Sequence, residues 1–464
     1  MSRRTNFNKR KNLSVPPNFP AGSVCAPEDL DAICRRQFLE LGVSLAAFAS
    51  VGSLLGSKSA HAAPAFALQR KLIWINMSGG WDILEVTDPK ASSTSGIDML
   101  YGQDEAHQIS GTTDDTYIGR WLPNIAAIGQ DLLVVRGLAM GTTSHTAGSI
   151  YMDTGILSNA GRVNAASIPA IVASESNATI PIIQLNGGAD PQTDRGLLNP
   201  VSTVRAENLA LYRSMYPSSA DGMQRRLRML DYVKSSLGRF EQSVGTNDRL
   251  SGLKAAEEKV RGQFASNIAE QLALTASDRT TFQEGAPQGM STSMSDAVAL
   301  TLKLIKNDVC SCINLGFGGF DTHQGQTQRL QPILASVDFL IGKLVSGLKA
   351  AGKLDETLIV LYSDFGRTPM INNSNGRDHW PTGGALVIGG GIAGGRAVGA
   401  TDDMLRAANL IHPETGKETS DAGVGLQLNP THLGGMILEL ALGSGYSQYR
   451  PYLTSIPALT RLKG

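Results

Sequence analysis

Apolar residues fall along the chain in short, nearly unbroken runs that close on polar, glycine-rich turns. Lys71 to Met77 (KLIWINM) leads into Ser78-Gly79-Gly80-Trp81-Asp82. Val309 to Leu315 (VCSCINL) leads into Gly316-Phe317-Gly318-Gly319-Phe320-Asp321-Thr322-His323, and Thr357 to Tyr362 (TLIVLY) into Ser363-Asp364-Phe365-Gly366-Arg367. Runs of this length without polar alternation predict strands covered on both faces, as in a parallel sheet. Asp131 to Arg136, Pro181 to Leu185 and Ala385 to Ile388 read as further strands. A helical stripe, Leu330, Ile333, Leu334, Val337, Leu340, Ile341 and Leu344, predicts a long helix from about Gln324 to Ala350. Strand, crossover helix and strand in that order give a right-handed parallel unit. The fold expected is therefore α/β: a doubly wound, mostly parallel sheet with helices on both faces.

Two regions depart from this rhythm. From about 206 to 307 the pattern is mostly helical, with spacings such as Leu227, Leu230, Val233 and Leu237, and predicts a helical insertion in a single α/β domain spanning 63–464. Gly389 to Gly395 is glycine-rich but lacks the strand-to-helix setting of a dinucleotide fingerprint, so it reads as a turn. Near the C-terminus, Asn429-Pro430 reads as N-cap and first residue of a helix that carries His432, a packing residue in that setting.

Each of the three main runs delivers a carboxylate at its carboxyl end, where ligands bind to open α/β sheets. Asp82, Asp321 and Asp364 follow the strands directly, while His323 and His379 lie in the same loops. Carboxylates and imidazoles gathered at one sheet edge are ligands for a divalent metal. A fourth turn, Gly141-Thr142-Thr143-Ser144-His145-Thr146, sits between a strand and a helix, where outward amides hold an anion. Ser144 and Thr146 are candidate nucleophiles, His145 a candidate ligand or base, and Arg367 is placed to stabilise developing negative charge. His107, among Asp104 and Glu105, reads as a surface residue.

Composition changes the picture mainly at the N-terminus. The chain has 464 residues, 51 of them glycine, and balanced formal charge. A polar basic lead, Cys34-Arg35-Arg36-Gln37-Phe38-Leu39, an apolar run from Leu41 to Gly56, and Ala60-His61-Ala62 look like a twin-arginine export signal over residues 1–62. The run is shorter than the ~20 residues that span a bilayer, so no stable membrane span is expected after cleavage. The protein is expected in the periplasm or secreted, with the twin-arginine machinery as a partner. Without residues 1–62 the net charge is about −4, and no basic stripe remains for nucleic acid. Cys310 and Cys312 alternate along a strand, which predicts side chains on one face.

The motifs Gly79-Gly80-Trp81-Asp82, Ser144-His145, Gly319-Phe320-Asp321-Thr322-His323, Ser363-Asp364-Phe365-Gly366-Arg367-Thr368 and Asp378-His379 occur in this order behind a twin-arginine signal. In that order they resemble an uncharacterised exported bacterial family of the alkaline-phosphatase and sulfatase superfamily. The resemblance implies a sheet edge that holds one or two divalent ions, Zn, Mn, Mg or Ca, and hydrolysis of phosphate-type esters, less so sulfate esters. By position, Asp82 matches the first acid, Asp321 and His323 one metal site, Asp364 the acid after the later strand, and His379 the final imidazole. Three features depart from the pattern: Asp364 stands where the family usually has Glu, Trp380 where it often has Gly, and Phe365 where superfamily phosphatases have His. No Cys/Ser-x-Pro-x-Arg segment of the sulfatase kind is present. The alternative is a non-catalytic exported binding protein that keeps the fold.

Overall fold

The structure, a computed structural model, describes residues 68–463 apart from 91–95, 99–104, 113–114, 159–162, 193–200, 206–218, 246–249, 263–267 and isolated positions elsewhere. The predicted export segment 1–62 and much of the region between 206 and 267 lie outside the described residues. Eight strands join in one sheet: β1 (Lys71–Met77), β2 (Leu132–Ala139), β3 (Ile180–Leu185), β4 (Thr203–Arg205), β5 (Cys310–Phe317), β6 (Thr357–Tyr362), β7 (Thr382–Gly389) and β8 (Arg396–Val398). Their order across the sheet is β8-β2-β7-β6-β1-β5-β3-β4. All pairings are parallel except those of β7, which runs antiparallel to both β2 and β6.

Helices cover both faces, which is why the strands read as continuous apolar runs. On one face Ile73, Ile75, Ile313, Leu315, Ile359 and Leu361 pack with α4 (Thr292–Lys306) and α5 (Gln326–Ala350). On the other, Leu72, Trp74, Leu358, Val360 and Tyr362 pack with α1 (His145–Thr154), α2 (Ile168–Ser174) and α6 (Pro430–Leu442). Another helix, α3 (Ala220–Val244), lies within the predicted helical region. The crossover from β5 through α5 to β6 passes over β1, which lies between them. Among the described residues no helix is long and apolar enough to cross a membrane.

The predicted cap of α6 is present: Asn429 accepts from Thr431 N–H, and His432 Nδ1 accepts in return from Asn429 N–H at 3.2 Å. The two cysteines differ from expectation. Both are buried free thiols, but Cys310 packs into one core cluster and Cys312 into the other. Burial pushes the Cys310 thiol up to about 12.

Helix α1 ends on a buried carboxyl. Asp153 Oδ1 accepts from Trp74 Nε1–H at 2.8 Å and from Tyr362 O–H at 2.6 Å. Burial raises its pKa to about 6, against the pull of those two hydrogen bonds. The unfolded value is ~3.9, so the native state holds the proton more tightly. Its contribution is fully present below about pH 4 and is lost as pH rises through about 6. That loss is on the order of 2–3 kcal/mol. Urea melts at pH 4.5 and 7 should show this slope in the wild type, and Asp153→Asn should flatten it. An unchanged slope in the variant would remove Asp153 as its source.

Candidate functional site

The carboxyl ends of β1, β2, β5 and β6 meet at one edge of the sheet. Gly79 and Gly80, after β1, have φ of 117° and 72°, a left-handed region that suits glycine. The tight turn is also a matter of space: a Cβ on Gly79 would lie 2.5 Å from Asp321 N, and one on Gly80 2.6 Å from the Phe365 ring. These glycines bring the segment after β5 against the segment after β6.

Three imidazoles surround Asp321 there. His145 Nε2 lies 3.6 Å from Asp321 Oδ2, His323 Nε2 3.1 Å from Oδ1, and His379 Nε2 3.4 Å from Oδ1. Each ring is held from behind through its other nitrogen. His145 Nδ1 donates to Asp364 Oδ2, His323 Nδ1 to Asp378 Oδ1 at 2.6 Å, and His379 Nδ1 to the Thr143 carbonyl at 2.8 Å. A carboxylate and a backbone carbonyl are acceptors only. The three Nδ1 atoms therefore carry protons, and the Nε2 lone pairs point inward. Phe365 stacks against His145 and His379, with ring centroids 4.7 and 4.6 Å apart, and forms the apolar floor.

Two observations test whether these residues fit a cation. His145 Nε2 is buried and has no hydrogen-bond partner, and the Nε2 atoms of His323 and His379 stand 2.9 Å apart. Two inward lone pairs at that distance repel unless a proton or a positive ion lies between them. Donor atoms of His145, Asp321 and His379 fall within 4.8 Å of one another, and outer acceptors orient all three rings, as around bound metals. The donor set fits.

The charges agree with this geometry. The hydrogen bond to Asp364 raises the pKa of His145 against its burial, with the Asp364 and Asp321 charges adding to the rise. Burial pushes Asp321 up, but the hydrogen bond and charge of Arg367, helped by His145 and His323, bring it below the usual carboxylate range. The bond from His323 lowers Asp378.

Other predicted residues are placed differently. Asp82 is buried and spent: Arg377 Nε lies 3.0 Å from Oδ2, Gln326 donates to the same oxygen at 2.7 Å, and Leu84 N–H donates to Oδ1 at 3.0 Å. Asp364 is also buried. Its Oδ1 accepts from Gly79 N–H, Gly80 N–H and Ser363 Oγ–H at 3.1, 2.6 and 2.9 Å, leaving Oδ2 to orient His145. Arg367 has no exposed surface. It donates to the Gly79, Gly80 and Arg377 carbonyls and, at 2.5 Å, to Asp321 Oδ1, so it holds the turn and the acid together rather than facing a substrate. Ser144 caps α1, its Oγ accepting from Ala147 N–H at 3.5 Å; Thr146 is exposed on the first turn. His107 is half-buried, bonded through Nε2 to the Arg120 carbonyl at 2.9 Å.

Sequence reasoning gave Asp378 no role of its own, although its place beside His379 is a signal. Thr143 could not have been found, because its contribution is a backbone carbonyl.

The fold and site define the class: an α/β protein with a histidine-rich carboxylate cup at the carboxyl edge of a mostly parallel sheet. Residues 69–434 match the family model described as "Protein of unknown function (DUF1501)", and the chain belongs to that family. No curated protein matches the chain. Among solved structures, it is similar to the PsFucS1 sulfatase from Pseudoalteromonas sp. (12% identity, 91% of this chain and 76% of that one, TM-score 0.35). It is also similar to an alkaline phosphatase superfamily protein from Vibrio parahaemolyticus (10%, 78% and 72%, 0.31). A third similar structure is the lipoteichoic acid synthase LtaP from Listeria monocytogenes (8%, 89% and 81%, 0.36).

Proposed function

We propose that the protein is a metal-dependent hydrolase of phosphate-type esters that works in the periplasm or outside the cell after twin-arginine export. The observation that carries the reading is the convergence of three inward imidazole nitrogens on Asp321, one of them buried without a partner. His145, Asp321 and His379 would hold a divalent ion, with His323 beside them. Three imidazoles and one carboxylate favour zinc over magnesium or calcium. When bound, such an ion supplies Lewis-acid polarisation of the ester oxygen and a water of lowered pKa.

The chain's own residues prepare the cup. Asp364, Asp378 and the Thr143 carbonyl keep the Nδ1 protons outward, so that no ring has to rotate during reaction. Phe365 excludes water from the floor. Arg367 keeps Asp321 ionised and fixed. The nucleophile would be water or the exposed Ser144 hydroxyl, whose 3.5 Å cap bond occupies one lone pair. A second reading, a binding protein without turnover, draws support from Phe365, which stands where a further imidazole would complete a second ion site.

Full-length protein loaded with Zn, Mn, Mg or Ca is to be assayed on phosphomonoesters, phosphodiesters and sulfate esters beside Asp321→Asn. Zinc-dependent turnover of a phosphate ester, absent in the variant, is the expected result. Equal rates in both proteins on every ester would leave only the binding reading.

The role of Asp364 has its own consequence. Asp364→Asn should weaken zinc affinity about 10–100-fold, the usual effect of removing an outer partner of a ligating histidine. Titration against a competing chelator measures it. An affinity within about twofold of wild type would show that His145 needs no orienting carboxylate.

A further inference from the structure

Beside the cup lies a groove of about 530 Å³ that the chemistry above does not use. One wall is the start of α5, with Thr327, Gln328 and Arg329; the other is loop 371–375, with Ile371, Ser374 and Asn375. The walls are pinned together, Gly325 N–H donating to the Ser374 carbonyl at 3.1 Å and Gln326 N–H to the Asn375 carbonyl at 2.7 Å. The same loop is pinned to the cup. Asn372 Nδ2 donates to the His323 carbonyl and to Asp378 Oδ1, both at 3.1 Å, while its Oδ1 accepts from Ser374 N–H and Gly376 N–H. Gly376 packs so closely that a Cβ would lie 2.1 Å from the His323 carbonyl carbon. The groove walls are thus tied to the loop of the cup, and the groove starts two residues from His323.

Its lining has unspent hydrogen-bonding capacity. The side chains of Thr327, Gln328, Arg329, Ser374 and Asn375 make no hydrogen bond or ion pair within the chain among the described residues. They offer two hydroxyls, two carboxamides and one guanidinium against one apolar side chain. An apolar ligand would leave these groups unpaired at a cost. A nucleobase would seek a stacking ring, which the lining lacks, and a polyanion more than one cation. Adjacent hydroxyls, each both donor and acceptor, match carboxamides and guanidinium, and a C–H face matches Ile371.

We propose that the groove binds a carbohydrate, the non-reacting part of an ester whose phosphate faces the Asp321 cup, which makes the substrate a sugar phosphate. The catalytic half rests on the hydrolase reading; the binding half does not. Both are tested on the full chain with glucose 6-phosphate and ethyl phosphate as probes, in wild type and in Gln328→Ala/Ser374→Ala, whose side chains have no hydrogen bond or ion pair to lose among the described residues. In EDTA, saturation-transfer NMR should show wild type holding the sugar ring about 10-fold more tightly than the double variant, with ethyl phosphate bound equally by both. With zinc, the variant should lose its preference for the sugar ester through KM, with kcat unchanged. Sugar binding without turnover of either ester keeps the groove and overturns the sugar-phosphate substrate. Turnover of both esters without preference, or equal sugar affinity in both proteins, overturns the groove and leaves the hydrolase standing.

Discussion

Asp321→Asn is expected to reduce turnover of any accepted ester by at least about 1,000-fold and to abolish stoichiometric zinc binding. Among the described residues Asp321 is the acid that all three Nε2 atoms face, at 3.1 to 3.6 Å. An amide keeps the shape but offers only a neutral oxygen, and its NH2 would point at a ring nitrogen or at Arg367. The same change removes the carboxylate partner of a fully buried guanidinium. Because the Asp321 side chain is half exposed, the stability cost is about 1–2 kcal/mol, less than for an enclosed pair. The variant should therefore fold. Zinc content by mass spectrometry and melting by circular dichroism separate the two effects. A folded variant that still binds one zinc per chain would remove Asp321 from the cup's chemistry.

Arg367→Met should be the most destabilising change in the site, by about 3–5 kcal/mol. The guanidinium is fully buried and satisfies three backbone carbonyls and Asp321. Methionine fills much of the volume but leaves buried acceptors unpaired, each at a cost of about 1–3 kcal/mol. Lysine is a poor substitute, since one ammonium cannot span the fork that reaches Gly79, Gly80 and Arg377 together. Urea denaturation gives the number. A loss below about 1 kcal/mol would mean that the double-glycine turn holds without Arg367, and that the arginine is free for another task.

Asp82 and Asp321 show how far one-dimensional reading reaches. Both are acids at the end of a glycine-bearing turn after a buried strand, and by local pattern they are equivalent. In the fold Asp82 is enclosed by Arg377 and Gln326, and Asp321 opens onto three imidazoles. The partner that decides between them, Arg377, lies almost three hundred residues away from Asp82 and in a loop with no regular period. Asp364 is a similar case: backbone amides of the Gly79-Gly80 turn and Ser363 take one of its oxygens, which makes it an orienting group.

Apolar run lengths, the α5 stripe, the Asn429-Pro430 cap and the acids at the strand ends were all determined by the chain alone. They depend on local covalent geometry, on 2.0- and 3.6-residue periodicity and on the burial of both sheet faces. The antiparallel course of β7, the separation of Cys310 and Cys312 into different cores, and the choice of Asp321 over Asp82 were decided by tertiary structure. Each depends on which side chains from remote segments arrive in the same few ångströms. Hydrogen-bond capacity there is finite: Asp82 is enclosed among Arg377, Gln326 and Leu84 N–H, whereas Asp321, although paired with Arg367, keeps an exposed side facing the imidazoles.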